Sequence, residues 1–179
     1  MRFSLLIGTV IGICLSNFAV TVTFKFTNVI CLSYNESWYV FHTCRLKAVS
    51  RSRVFLNLNG TILHKVNMIH AHYKMFKRES GYKPWLIDNK IDCCQFFRRN
   101  YDPFYKIINS FFKPFSNLNH SCPYEGPTIL KDFYLKPELL LLPLPTGDYM
   151  LSIRWFYNQR LQYDTNVSFS FVEDLRTGK

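Results

Sequence analysis

The chain has 179 residues, 48% hydrophobic and 19% charged, with a formal net charge of +10. This balance excludes an intrinsically disordered chain, and the length suits one domain burying about 70% of its extended-chain surface. Aromatic residues make up 17%, with 17 Phe and 11 Tyr, more than one small core needs, so either the core is aromatic-rich or some rings line a cavity.

Met1-Arg2 supplies a short positive start, Phe3 to Leu15 is an apolar run, and Ser16 and Ala19 follow as small residues. This is the pattern of a signal peptide over residues 1–19, with cleavage expected at roughly 16 to 23. A domain over 20–175 and a tail at 176–179 would remain. The apolar run is too short to cross a bilayer comfortably. The other apolar stretch, Leu139 to Leu144, is short and interrupted by Pro137, Pro143 and Pro145. A secreted, extracellular protein without a membrane span is therefore expected.

Val20, Val22, Phe24 and Phe26 alternate with Thr21, Thr23, Lys25 and Thr27, the pattern of a half-buried strand. After a polar turn at Ser33 to Ser37, further strands are expected at Trp38–Ala48, Val54–Asn59, Thr61–Val66 and Ile69–Lys77. Asn59-Gly60 separates the third from the fourth, Gly81-Tyr82-Lys83-Pro84 reads as a turn, and Trp85–Cys93 as the next strand. The period then changes. Asp102 can cap, Pro103 suits the first helical position, and Phe104, Ile107, Ile108, Phe111 and Phe112 recur at helical spacing until Pro114. That predicts an amphipathic helix over 102–113. Strands are expected again at Thr128–Leu135, a proline-bounded edge at Leu139–Leu142, Tyr149–Tyr157 and Asn166–Val172. About seven to nine short strands argue for a mainly β fold, an immunoglobulin-like β-sandwich with one inserted helix.

If Cys14 leaves with the leader, Cys31, Cys44, Cys93, Cys94 and Cys122 remain, an odd number. Cys31 and Cys44 lie near opposite ends of a hairpin loop, a feasible bridge. On a strand end Cys93 and Cys94 would point to opposite faces, so one of the two faces Cys122. The pairing chosen is Cys94 with Cys122, leaving Cys93 unpaired, free or available to another chain. Four sequons, at Asn35, Asn59, Asn119 and Asn166, are expected to mark glycosylated surface turns.

Two basic stretches, Arg45, Lys47, Arg51 and Arg53, then Lys74, Lys77, Arg78 and Lys83, lie among apolar residues at near-alternate spacing. They read as the solvated face of a sheet or, more sharply, as attraction to an anionic lipid surface or acidic glycans. Nucleic acid does not suit a secreted chain. His70 and His72 would share a strand face, but two ligands in a basic neighbourhood do not make a metal site. Asp88 and Asp92 read as capping and turn residues. With no Gly-x-Ser-x-Gly elbow and no phosphate-cradling loop, neither enzymatic activity nor a cofactor is expected.

The aromatic excess is the remaining functional lead. A sandwich wedged open at one end can hold an acyl chain, each buried methylene contributing about 0.8 kcal/mol. Phe24, Phe26, Leu56, Tyr73, Met75, Trp155 and Phe169 are the expected lining, with Phe111 and Phe112 as a lid, around a cavity of roughly several hundred Å³.

Ordered motifs add to this reading. They are Phe24-Lys25-Phe26-Thr27-Asn28-Val29 before Cys31, the block from Cys44 to Arg51, Lys77-Arg78 with Gly81 to Leu86, Asp92-Cys93-Cys94-Gln95-Phe96, Asn117 to Tyr124, and Leu142 to Tyr149. In these the chain, from about Phe24 to Phe171, resembles a large family of secreted insect proteins known as a domain of unknown function, number 1091. The family pattern has Asp, a variable residue, then Cys, so the resemblance implies that Cys94 is the family cysteine and Cys93 the variable place. Family members are similar to the ML lipid-recognition fold, and some such insect proteins are linked to chemosensation. The resemblance supplies no catalytic residue and no ligand.

The expected function is non-enzymatic binding of a lipid or small hydrophobic ligand, in chemosensory or extracellular lipid recognition. The competing expectation is an extracellular protein- or glycan-interaction module with a filled core, docking a receptor through its basic face.

Overall fold

The computed structural model describes residues 19–51, 53–136 and 144–176. The expected leader and the proline-bounded segment at Leu139–Leu142 lie outside them. Eight strands are described: β1 (Ala19–Ser33), β2 (Tyr39–Ala48), β3 (Val54–Val66), β4 (Ile69–Glu79), β5 (Gly81–Asp92), β6 (Tyr124–Phe133), β7 (Gly147–Tyr157) and β8 (Arg160–Arg176). Two helices, α1 (Cys93–Arg99) and α2 (Pro103–Phe112), stand between β5 and β6. The strands form two antiparallel sheets, a larger one ordered β1-β8-β7-β4-β5 and a smaller one ordered β2-β3-β6. This is the expected β-sandwich with a helical insert.

The side chains between the sheets fall into two clusters. One gathers Phe26, Val54, Leu56, Met75, Leu144, Tyr149, Val167, Phe169 and Phe171. The other, beside the helices, gathers Tyr39, Ile62, Ile69, Tyr73, Ile91, Phe96, Tyr105, Tyr124, Tyr157 and Tyr163 with the cysteines of the insert. Alternation explains the division of labour along each strand: β4 buries Ile69, Ala71, Tyr73 and Met75 and turns His70, His72 and Lys74 the other way.

Several boundaries differ from those expected. Asn59-Gly60 is no turn; β3 runs through it, because Gly60 lets Tyr39 approach where a Cβ would collide with the Tyr39 ring and the Val40 carbonyl. The β4–β5 turn falls earlier than Gly81–Pro84, with Gly81 at φ 111°, and Pro84 lies within the edge strand β5, where its missing N–H breaks no ladder. The last strand begins at Arg160 instead of Asn166, because Asn158 and Gln159, at φ 48° and 68°, close a tight hairpin.

The largest difference is α1. Cys93 and Cys94 were expected on a strand end with side chains on opposite faces. Instead they open a helix capped by Asp92, whose Oδ1 accepts from the Gln95 N–H at 2.9 Å, and both are buried. A strand-like sequence thus turns helical at a single capping residue. The expected helix is present as α2, with Asp102 Oδ1 accepting from the Tyr105 N–H at 2.8 Å and Pro103 in the first turn.

Candidate functional site

Two disulfides hold the sandwich. Cys31 pairs with Cys44, joining β1 to β2, and Cys94 pairs with Cys122, joining α1 to the segment before β6. Cys93 is a free thiol, 4% exposed, so it is not available to another chain. Asp92 and Asp102 cap the two helices, and Asn100, in the left-handed region at φ 47°, ends α1 by donating its N–H to the Phe96 carbonyl. The insert is thereby pinned at α1. α1 packs onto β4 and β5, while α2, continued by the short turn Lys113–Phe115, buries Tyr105 in the cluster beneath the insert and packs Ile108 against it.

Beneath the insert lies a cleft of about 40 Å³. The sheets contribute Ile62, Ile69, Thr128, Trp155, Tyr157 and Tyr163, the insert contributes Cys93, Phe97, Tyr105 and Phe112, and Leu118 and Tyr124 close the side. Its rings are mutually braced. Tyr163 stacks on Tyr39 with centroids 4.0 Å apart, and Tyr105 meets Phe96 edge-on at 4.6 Å. The phenols are bonded in place as well: the Tyr157 and Tyr163 hydroxyls lie 3.3 Å apart, Tyr39 bonds Thr128 Oγ1 at 2.9 Å, and Tyr124 donates to the His120 carbonyl.

Burial pushes the Cys93 thiol up to about 12 and the Tyr124 phenol up to about 12, and it raises Tyr105, Tyr157 and Tyr163 as well. All of these groups are neutral near pH 7. Cys93 lies 3.8 Å from the Tyr105 hydroxyl, a contact between two protonated groups. The cleft therefore presents apolar rings and neutral hydroxyls to whatever enters.

The expected lining is only partly brought together. Trp155 and Phe112 line the cleft, and Tyr73 belongs to the same cluster. Phe26, Leu56, Met75 and Phe169 are buried in the other cluster with Phe24 packed against it, and Phe111 is half-buried on α2. There Phe24 stacks on Phe169 with centroids 4.8 Å apart and meets Phe26 edge-on at 5.0 Å. The cleft beneath the insert is far smaller than the expected cavity of roughly several hundred Å³. Tyr157 lies two residues beyond Trp155 on β7 and so is within reach of the same alternation, whereas Tyr163 lies before Asn166, where the last strand is expected to begin.

Outside the cleft, His70 and His72 share the outer face of β4, each turned to a carboxylate of β5. His70 lies 3.7 Å from Asp92 and His72 lies 2.6 Å from Asp88, which also takes Lys74 at 2.8 Å. Lys74 first, then His72, holds the Asp88 carboxyl below its ordinary value. Asp88 is thus an ion-pair partner and Asp92 a cap. No group of three His, Cys, Asp or Glu side chains able to hold a metal occurs among the described residues. No helix there is long and apolar enough to cross a membrane.

Comparison with known families bears on the insert directly. Residues 71–151 match the model of a family described as a protein of unknown function, DUF1091. The matched segment runs from β4 through both helices into β7, so it contains the Cys94–Cys122 bridge and most of the cleft wall contributed by the insert. It supports the resemblance that the ordered motifs carry. No curated protein matches the chain significantly.

Proposed function

We propose that this is a secreted, non-enzymatic protein that binds a small hydrophobic ligand, such as a lipid or hydrocarbon, beneath its helical insert, in extracellular lipid recognition or chemosensation. The observation that carries this reading is the aromatic cleft covered by α2, a helix without a cysteine whose Tyr105 and Phe112 line it. A cleft of about 40 Å³ is far smaller than the roughly 300 to 1,000 Å³ of ordinary ligand sites, so entry requires α2 to swing outward. α1 is clamped by a disulfide and stays. Neutral Cys93 and neutral phenols provide no base or nucleophile, which supports binding without chemistry. Two disulfides and the signal-like N-terminus support an oxidising, extracellular location.

The test is saturable uptake of an environment-sensitive naphthylamine dye, displaced by a fatty acid or long-chain hydrocarbon. Phe112→Ala, which thins the lid, should speed uptake. Absence of saturable uptake in both proteins, each folded by circular dichroism, would overturn the reading.

A second reading, an extracellular docking module, is favoured by one observation. Arg45, Lys47, Arg53 and Lys131 are exposed on the smaller sheet or beside it and have no ion-pair partner among the described residues, with Arg53 lying 5.1 Å from the Tyr134 ring centroid. A basic surface with an aromatic platform suits an acidic glycan or an anionic lipid surface. Retention on heparin, lost in Arg45→Glu/Lys47→Glu, would favour it.

A further inference from the structure

We propose that Asn166 carries an N-linked glycan that lies over the outer face of β1 and covers the apolar row Ile30, Leu32 and Tyr34. The proposal rests on the secretory route of the preceding reading. Val167, Phe169 and Phe171 of β8 face the core, so Asp164, Asn166 and Ser168 face outward. There Asn166 stands directly opposite Ile30, and Asp164 directly opposite Leu32. Ile30, Leu32 and Tyr34 are 47%, 46% and 54% exposed, a run of large apolar side chains on and just after an edge strand. An edge of that kind invites pairing with another chain unless something covers it.

The polar neighbours are incomplete in a complementary way. Asp164 is 5% exposed; its Oδ2 accepts from the Tyr34 hydroxyl at 2.9 Å and lies 3.6 Å from Arg154 Nε, but its Oδ1 is buried with no hydrogen-bond partner. Asn166 Oδ1 is likewise buried and unpartnered, while its Nδ2, the atom to which a sugar attaches, makes no hydrogen bond among the described residues. Buried acceptors left alone are costly and call for a donor. N-acetylglucosamine offers an amide N–H and hydroxyls to those oxygens and a ring C–H face to Ile30 and Leu32. Asn166-Val167-Ser168 is the acceptor pattern that would tether it at that spot.

Asn119, exposed in the loop before Cys122, serves as the internal control. Full-length protein secreted from insect cells would be mapped by glycopeptide mass spectrometry, with both Asn119 and Asn166 expected to be occupied. Enzymatic removal of glycans from the folded protein is expected to shift it from monomer to dimer in analytical ultracentrifugation. Ser168→Ala, which abolishes the acceptor pattern at Asn166, should do the same, and adding Ile30→Lys should restore the monomer. Asn166 bare while Asn119 is glycosylated would overturn the proposal and leave the secretory route standing. Both sites bare would overturn the two together. A deglycosylated protein that stays monomeric would overturn the covering role.

Discussion

The two ends of the sandwich solve the same packing problem with different residues. Away from the insert, Phe26, Leu56, Met75, Val167, Phe169 and Phe171 interdigitate as hydrocarbon, and the one phenol among them, Tyr149, donates to the Pro145 carbonyl at 2.5 Å. Beneath the insert the core is built from Tyr39, Tyr105, Tyr124, Tyr157 and Tyr163, whose hydroxyls need partners and whose shapes leave a cleft. A hydrocarbon core has only to match shapes in allowed rotamers. A tyrosine core must also satisfy each hydroxyl, and that second demand fixes ring positions before the voids are filled. The structural end is therefore the first, and the adaptable end the second.

The sharpest way to break this comparison is to truncate one side chain at each end. Leu56→Ala should cost about 2 to 5 kcal/mol in urea unfolding, since it opens a void in a dry core. Phe112→Ala should cost less than half as much, because its ring is half-buried beside a void already present. Equal costs would mean that the cleft end is packed as tightly as the other.

Next in size is the clamp. The Cys94–Cys122 bridge spans 28 residues, and the chain-entropy model assigns such a loop about 3.6 kcal/mol. The Cys94→Ser/Cys122→Ser protein should lose about that much, with hydrogen exchange rising first in α1 and α2. Loss spread evenly over β1 and β8 would show that the bridge staples the whole sandwich and not the insert.

Alkaline pH should loosen the insert end selectively. Cys93 has its folded-state pKa raised from 9.0 to about 12, so the stability gained by keeping it neutral is whole below pH 9 and is lost as pH rises through about 12. The expected signs are melting temperatures that fall over that window, less steeply in Cys93→Ala, and a thiol that resists disulfide reagents at pH 7 until the protein is unfolded. A native thiol that reacts at once would place Cys93 at the surface.

The smallest effect separates the two helices. Asp92→Ala and Asp102→Ala each remove a cap worth about 1 kcal/mol. Because α1 is disulfide-bonded and α2 is not, exchange in α2 should quicken more than exchange in α1. The reverse result would mean that α1 is the mobile element.

Much of the fold was legible because alternation is a local signal. Val22 to Phe26, Trp38 to Ala48, Ile69 to Lys77 and Tyr149 to Tyr157 each announce a strand, and Asp102-Pro103 announces α2. The failures sit where distant residues override the local pattern. Gly60 looks like a turn until Tyr39 lies against it, and Cys93-Cys94 looks like a strand end until Asp92 caps a helix there. The candidate site was the least legible part. Phe24, Phe26 and Phe169 carry the same periodicity as Trp155, and nothing in that periodicity says which end of the sandwich a ring occupies.

The sequence by itself determined the architectural class, the helical insert and the apolar character of the interior, because each follows from spacing and composition along the chain. Tertiary structure alone decided that the interior divides into two clusters with a cleft beside one of them, and that Cys93 is buried beside Tyr105. It also set Asn166 opposite Ile30. Those facts depend on strand register and on which sheet covers which, and register is settled by the summed packing of residues as far apart as Ile30 and Asn166.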